Sequence, residues 1–493
     1  MITAHLPALQ VVVPLMAAPV CVLLRNGRAA WVWAAVVTWA TFLVALGLLV
    51  RVADQGVISY AIGDWAPPWG IEYRVDLFGA LVLVIVSGVG ALVMPFARLN
   101  VEREIPAERI YLFYVMYLLS LAGQLGIAIT GDAFNLFVFL EISSLSSYVL
   151  ISLGSDRRAL TAALRYLIMG TLGATFYVIG VGLLYMMTGT LNMADLAQRV
   201  PDLLHLRTIE AALAFLIVGI SLKLALFPLH LWLPNAYAFA PTTVTIFLAA
   251  TATKVSVYVI IRIIYTVYDG EPIYQGAVFD DALMGLGMLS MVAAGLVAIF
   301  QNNVKRMLAY SSVSQIGYMV LGLSFGSVVG LAAGIVHLFN HAIMKAALFM
   351  AVGCAGQRLR AVSFDDLAGL GRQMPVTMGA LVVGALSLIG LPLTVGFVTK
   401  WYLIQAAVED KAWLAVIVVL ASGLFAVIYT WRIVEAAYFR PLPEGREAVG
   451  EAPLSMLIPL VILAGACVVF GIGATWPMDL ALAAAQSLIG TSP

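Results

Sequence analysis

The chain alternates between long apolar segments and short polar connections along almost its whole length. A helix needs about 20 apolar residues to cross the hydrocarbon core of a bilayer, so segments of this length predict transmembrane helices. Fourteen such spans can be assigned, and several contain glycine or proline. Their approximate ranges are 6–25, 30–51, 76–97, 110–130, 132–153, 161–188, 208–233, 241–268, 281–301, 304–325, 327–356, 376–407, 413–439 and 454–475.

The longest polar connection covers residues 51–75. Short stretches of alternating polar and apolar residues flank a Pro-Pro turn within it, which predicts a hairpin on the membrane surface.

The composition agrees with a membrane protein. Hydrophobic residues make up 63% and charged residues 11% of the 493 positions, with a mean hydropathy of +1.03. Soluble domains are about 45–50% apolar and about 25% charged. We therefore predict an all-α polytopic membrane protein of about fourteen transmembrane helices. A net charge of zero indicates no nucleic-acid partner, and three widely separated cysteines in apolar runs indicate no disulfide framework.

Basic residues in the connections predict the orientation. Odd-numbered loops carry fourteen lysines and arginines, whereas even-numbered loops carry five. Since cytoplasmic loops are enriched in lysine and arginine, the odd loops are expected in the cytoplasm and both termini outside.

Lysine is distributed differently from arginine. The chain has six lysines, and only Lys305 and Lys411 fall in predicted loops. The other four lie within apolar segments, at Lys223, Lys254, Lys345 and Lys400. Arginine stays protonated in proteins, whereas a desolvated lysine can release its proton. Four buried lysines therefore indicate a series of protonatable sites in the membrane. Snorkelling of some of them to an interface remains open, above all for Lys400.

Glu141 is a carboxylate in the middle of an apolar segment, nine residues beyond Asp132. A helix rises 1.5 Å per residue, which places Glu141 about 13 Å deep, near the bilayer midplane. We predict that it is the acidic partner of the lysines, with a purely structural ion pair as the alternative.

His337, His341 and Lys345 recur every four residues and so share one helix face. Histidine titrates near physiological pH and can relay protons. The spacing His337–His341 could also bind zinc, but the glutamate of a zinc-protease motif and a third ligand are missing, so we predict no metal site. Structural histidines without a transport role remain possible.

Two spans contain breaks beside a lysine. Pro228 and Pro234 interrupt FPLHLWLP, with His230 between them, and Pro392 interrupts IGLPLTVGFVTK. Proline removes a helical hydrogen bond, and non-helical backbone at membrane depth needs protein or water around it. Paired breaks are typical of transporters with inverted repeats. An ordinary proline kink is the alternative.

The chain resembles the antiporter-like family in six stretches. This family includes the proton-pumping membrane subunits of respiratory complex I, related subunits of membrane-bound hydrogenases, and the large subunits of Mrp Na+/H+ antiporters. The resemblance covers roughly residues 70–440. It rests on FLEISSLSSY, SLKLALFPLHLWLP, TATKVSVYVIIR, YSSVSQIGYM, HLFNHAIMKAALF and GFVTKWYL. Within the family the chain is most similar to the D-type Mrp subunit, in its length and in the lysine of the second break.

The resemblance implies two inverted five-helix repeats, in residues 110–270 and 280–440. A three-helix region with the hairpin would precede them in 1–109, and a C-terminal helix would follow in 441–493. It also implies that separation of the Glu141–Lys223 pair changes the protonation of Lys223. Lys254 would be the central carrier, linked through His337, His341 and Lys345 to Lys400.

The resulting expectation is a transporter subunit without cofactors in a prokaryotic inner membrane. It would move H+ and Na+ together with other membrane subunits. A proton-pumping, non-redox subunit of an electron-transfer complex is the alternative. A membrane enzyme acting on a lipid-linked substrate is disfavoured, since the sequence offers no nucleophile or metal motif for an extramembrane cleft.

Overall fold

The computed structural model describes residues 2–274, 278–359, 363–443 and 448–490, and these are almost entirely helical. The first ten helices are α1 (Leu6–Leu24), α2 (Gly27–Gln55), α3 (Leu77–Glu104), α4 (Ile110–Ile129), α5 (Ala133–Ser152), α6 (Arg157–Thr188), α7 (Met193–Arg199), α8 (Arg207–Leu224), α9 (Leu233–Phe239) and α10 (Thr242–Arg262). The others are α11 (Glu271–Tyr274), α12 (Phe279–Ile299), α13 (Val304–Ser324), α14 (Val328–Arg358), α15 (Leu370–Gln373), α16 (Pro375–Ile389), α17 (Val395–Glu409), α18 (Trp413–Val434), α19 (Leu454–Ile472) and α20 (Thr475–Ile489). Single π-helical turns, Ile263–Val267 and Glu435–Phe439, extend α10 and α18.

Each predicted span coincides with a helix or with two helices separated by a break. Among the described residues, eleven helices are long and apolar enough to cross a membrane: α1 to α6, α10, α12, α14, α18 and α19. The three remaining predicted spans correspond to α8, α13 and the pair α16–α17, which are shorter or more polar. The multi-pass helical architecture is confirmed, whereas the count of fourteen crossings stays a prediction.

The most enclosed of these helices are α10 and α14. In each, 94% of the apolar stretch is buried, against 39% in α1 and α2 and 33% in α18. Helix α10 packs against α3, α4, α8 and α13, and α14 packs against α13, α16, α17 and α19. The two helices that carry Lys254 and the His337–Lys345 face are therefore surrounded by protein, where polar side chains are tolerated better than in lipid.

The first break separates α8 from α9. Helix α8 ends at Leu224, and the next residue, Ala225, has a left-handed φ of 62°. The chain then turns irregularly before α9 begins at Leu233. Pro228 lies inside this break, as predicted. Pro234 instead occupies the first turn of α9, where the missing N–H of proline costs nothing because that N–H has no helical partner.

The second break separates α16 from α17 and contains Pro392. Helix α16 ends at Ile389, and the next residue, Gly390, has a φ of 87°. Gly396 is equally constrained, since a Cβ atom there would lie 1.8 Å from the Ser387 carbonyl oxygen. The break is therefore built on glycine as much as on proline.

The two ends of the helical bundle differ. At one end, strands β1 (Ile58–Ala61) and β2 (Glu72–Val75) form the antiparallel hairpin expected in the 51–75 connection. Glu72 anchors it, accepting hydrogen bonds from Ser59 Oγ at 2.6 Å and Asn192 Nδ2 at 2.8 Å. We call this end the hairpin face. The opposite end, where α3 finishes and α10 and α13 begin, is called the basic face after its arginines.

One helix was not predicted, and two of the basic residues used to predict the orientation cannot be placed. Helix α20 follows α19 and packs against α14 and α3, although only one C-terminal helix was expected. Arg360 and Arg446, two of the fourteen basic residues counted in the odd loops, lie outside the described residues.

Candidate functional site

Glu141 and Lys223 form an ion pair between α5 and the last turn of α8. Lys223 Nζ donates to Glu141 Oε1 at 3.0 Å and to Ser144 Oγ at 2.8 Å. The lysine side chain is 4% exposed and the glutamate side chain 23% exposed. The pairing predicted from sequence is thus present, and a serine that follows Glu141 completes the coordination of the ammonium group.

The break after Lys223 is held by an aromatic side chain. Trp232 Nε1 donates to the Leu222 carbonyl at 2.8 Å, which satisfies one of the carbonyls left free at the end of α8. The Trp232 ring stacks on Tyr166 with 3.8 Å between ring centroids. These contacts fix the backbone next to Lys223, and the sequence alone did not identify them.

Lys254 lies on α10 and is 0% exposed. Its Nζ donates to the Ala249 carbonyl at 2.5 Å and to Thr253 Oγ1 at 3.3 Å. Within the part of the chain that the structure describes, Lys254 forms no ion pair. It is therefore a buried amine held by neutral acceptors.

The histidine face of α14 is partly hydrogen-bonded. His337 Nδ1 lies 3.0 Å from Thr399 Oγ1, and the adjacent Asn340 donates to Val395 O at 2.9 Å and to Thr399 Oγ1 at 3.0 Å. His341 stacks on His337 with ring centroids 5.6 Å apart. Among the described residues, both ring nitrogens of His341 are buried without a hydrogen-bond partner.

Lys345 and Lys400 each bond a backbone carbonyl. Lys345 Nζ donates to Leu308 O at 2.7 Å and to Ser311 Oγ at 2.5 Å, both on α13. Lys400 Nζ donates to the carbonyl of Ile389, the last residue of α16. Lys400 therefore points back into the second break and caps α16.

His230 lies in the first break and is 6% exposed. Its ring stacks on Phe227 with centroids 5.0 Å apart and approaches Tyr310 of α13 at 6.1 Å. The break thus contacts α13 through this histidine.

Lys305 was counted among the loop lysines, although it is the second residue of the predicted span 304–325. The structure places it in the first turn of α13. Its Nζ donates to Thr242 Oγ1 at 2.7 Å. The signal that could have placed it is Asn303, an N-cap residue whose side chain accepts a hydrogen bond from Arg306 N–H at 2.9 Å. A helix capped at Asn303 already includes Lys305.

The hairpin face has a cavity of about 290 Å³ beside a second ion pair, between Asp76 and Arg262. Burial raises the pKa of Asp76, but the Arg262 charge and hydrogen bonds from Arg262 and the Gly79 N–H more than offset it, so this pKa lies below its ordinary value. Arg262 also donates to the Tyr258 hydroxyl at 2.9 Å. The pair joins the start of α3 to the end of α10.

Fold and side chains together define a polytopic membrane protein with protonatable groups enclosed between its helices. The chain matches the family described as "NADH:quinone oxidoreductase/Mrp antiporter, TM" over residues 130–426, more than half of its length. It belongs to this family.

Relatives within the family have two kinds of names. The chain is 42% identical to "NADH-quinone oxidoreductase subunit N" of Desulforudis audaxviator, covering 95% of this chain and 96% of that one. It is 30% identical to the D-type subunit of the "Na(+)/H(+) antiporter" of Alkalihalophilus pseudofirmus, covering 91% and 89%. Its fold matches a chain of the Mrp complex from Dietzia sp. with a TM-score of 0.91, 27% identity and 99% and 98% coverage.

Proposed function

We propose that this chain is the proton-translocating membrane subunit of a multisubunit monovalent cation (Na+)/H+ antiporter. One observation carries the proposal: protonatable side chains from both halves of the chain are enclosed by protein in the helices that form the centre of the bundle. Such side chains are costly inside a membrane and mark proton relays and ion pathways. The similarity to a D-type antiporter subunit and to a chain of an Mrp complex supports the cation-coupled form.

In the proposed path, Glu141 acts as an electrostatic switch for Lys223. While the pair is closed at 3.0 Å, the carboxylate favours the ammonium form of Lys223. Opening the pair removes this attraction, and Lys223 can then pass its proton toward Lys254. His230, in the adjoining break, provides a secondary route.

The second half of the path runs from Lys254 to Lys400. Histidine rings on the buried face of α14 connect the two lysines in this path. His341 stacks on His337, and His337 Nδ1 lies 3.0 Å from Thr399 Oγ1, the residue before Lys400. Lys345 joins from the same face. Lys400 then exchanges protons at the second break, where backbone carbonyls are exposed to the path.

The wider arrangement is part of the proposal. Residues 110–270 and 280–440 form the two inverted repeats, with one helix break and its lysine in each. The basic face lies in the cytoplasm of a prokaryotic cell, by the excess of lysine and arginine in its loops, and both termini lie outside the inner membrane. Other membrane subunits complete the complex.

A redox-driven complex is the second candidate, and the 42% identity to "NADH-quinone oxidoreductase subunit N" favours it. The same proton path would then be driven by electron transfer in partner subunits. The buried lysines and histidines suit both functions, so the energy source separates them.

Everted vesicles that contain the assembled complex test the proposal. A pH gradient imposed without a respiratory substrate should collapse when Na+ is added, and Lys223→Gln should abolish this response. Lys411→Gln, at an exposed lysine, is the matched control and should respond as the wild type. Proton uptake that needs electron transfer and ignores Na+ would support the redox alternative. An unchanged response in Lys223→Gln would contradict the proton path in either complex.

A further inference from the structure

A cavity of about 350 Å³ opens at the basic face beside the start of α10. Five charged side chains line it: Arg103, Glu104, Asp156, Arg158 and Lys305. Glu104 and Lys305 are both half-buried, so they connect the cavity with the protein interior. None of the sites described above includes this pair.

A continuous hydrogen-bonded chain joins these two side chains. Lys305 Nζ donates to Thr242 Oγ1 at 2.7 Å, and Thr242 Oγ1 donates to Glu104 Oε1 at 2.7 Å. Glu104 Oε2 also accepts the Thr242 backbone N–H at 2.5 Å, which holds the carboxylate in place. A hydroxyl between a donor and an acceptor can hand a proton from one to the other, because it gives up its own proton as it gains a new one.

Helix α13 links Lys305 to the buried lysines. Leu308 lies one turn beyond Lys305, and its carbonyl accepts from Lys345 Nζ. Three residues correspond to about 4.5 Å of helix rise. This rise separates backbone positions, so the port proposed below needs hydrogen-bonded water between the two lysine Nζ atoms. Lys305, which lines the basic-face cavity, therefore lies one helical turn along α13 from Leu308, whose carbonyl binds Lys345.

We propose that Glu104, Thr242 and Lys305 form a port through which protons pass between the basic-face cavity and Lys345. This port rests on the proton path proposed above. As a proton leaves, the Nζ–H bond of Lys305 breaks while an Oγ1–H bond forms on Thr242. The original hydroxyl proton of Thr242 moves to Glu104 Oε1. Lys305 becomes a neutral amine and Glu104 a neutral acid, which then releases its proton to the cavity; uptake follows the reverse order.

Substitutions at Thr242 separate a proton port from a structural contact. Thr242→Val removes the relaying hydroxyl but keeps the shape of the side chain and the backbone bond to Glu104, whereas Thr242→Ser keeps the hydroxyl. The neighbouring Thr243 is the matched control, because its hydroxyl donates to Asn100 Oδ1 at 2.7 Å and bonds neither Lys305 nor Glu104 directly. Asn100 Nδ2 also donates to Glu104 Oε1 at 2.9 Å, so Thr243→Val controls for disturbance of this carboxylate without loss of the relaying hydroxyl. Proton flux is measured in everted vesicles and normalised to the amount of assembled complex.

We expect Thr242→Val to lower the flux at least about tenfold, and Thr242→Ser and Thr243→Val to stay within about twofold of wild type. Lys305→Arg should also lose flux at least about tenfold, because arginine keeps the charge and the bond to Thr242 but does not release its proton. If the complex with Thr242→Val fails to assemble, the flux of Lys305→Arg alone tests whether the port conducts protons.

Equal flux in Thr242→Val and Thr243→Val, or wild-type flux in Lys305→Arg, would overturn the port. The Lys223→Gln variant in the same vesicles shows which proposal has failed. If Lys223→Gln loses flux while the port variants keep it, the port is wrong and the buried path stands. If Lys223→Gln itself transports like wild type, the buried path is wrong and the port falls with it.

Discussion

Lys223 and Glu141 are 3.0 Å apart but unequally enclosed, with side chains 4% and 23% exposed. Removal of the glutamate leaves an ammonium group buried without a counter-charge. Removal of the lysine leaves a carboxylate that still reaches the protein surface. The pair is therefore asymmetric, and its two halves make different contributions to folding and to transport.

Glu141→Ala should destabilise the protein more than Lys223→Ala does. Loss of one partner from a fully buried pair costs about 3–5 kcal/mol, which is the cost expected for Glu141→Ala because it strands the buried lysine. In Lys223→Ala the remaining glutamate is partly exposed, which reduces the cost to about 2 kcal/mol. Heat-induced loss of monodisperse protein in detergent measures the difference. Equal stability of the two variants would argue against the asymmetry, whereas both variants should lose proton flux.

Gly390→Ala should impair both folding and transport. Gly390 has a φ of 87°, and a Cβ atom would lie 2.8 Å from Lys400 Cδ, so the lysine must move off the end of α16. We expect a loss of about 1–2 kcal/mol in stability and a clear drop in flux. Gly379→Ala on the same helix is the control, since no atom lies within 4 Å of its added Cβ atom. Comparable behaviour of the two variants would refute this role of Gly390.

Trp232→Phe should disturb the first break without removing a charged group. Phenylalanine retains an aromatic face for Tyr166 but lacks the N–H that bonds Leu222 O. The expected loss of stability is about 1 kcal/mol, which is the net contribution of one buried hydrogen bond. Proton flux should also fall, because the backbone next to Lys223 is less well fixed. Trp401→Phe, at a side chain that is 59% exposed, provides the comparison and should change neither quantity.

His341→Leu should separate stability from activity. A buried polar side chain without a hydrogen-bond partner is costly, so an apolar residue of similar size should leave stability unchanged or raise it. Proton flux should fall at least about tenfold, because the link between Lys254 and Lys400 is lost. Thermal stability and vesicle flux are measured on the same preparations, and a stable variant with normal flux would exclude His341 from the path.

Much of this fold follows from the sequence because lipid constrains length and composition. Each apolar segment became a helix or a broken pair of helices, and the polar connection became the hairpin. The buried lysines were visible because an amine in an apolar segment is rare. Helix α20 was missed since its fifteen residues are too few to cross a bilayer, so only its packing on α14 and α3 defines it.

The partners of the site residues were less predictable. Lys345 bonds Leu308 and Ser311, more than thirty positions earlier, and Lys400 caps a helix that ends eleven positions before it. Such contacts depend on how helices pack, and no local pattern encodes them. Lys305 was misplaced for a different reason: a lysine at a helix start has the same local composition as a lysine in a loop.

The complete burial of Lys254 also bears on how this protein is made. A lysine at the centre of a membrane helix costs about 2.5–3.5 kcal/mol on insertion, and Lys254 has only neutral acceptors on its own helix. Helices α13 and α14 bury much of the surface of α10, and both are synthesised after it. We therefore expect α10 to rely on α3 and α4 until α13 and α14 have been inserted. The helix that carries Lys254 is thus synthesised before two of the helices that enclose it.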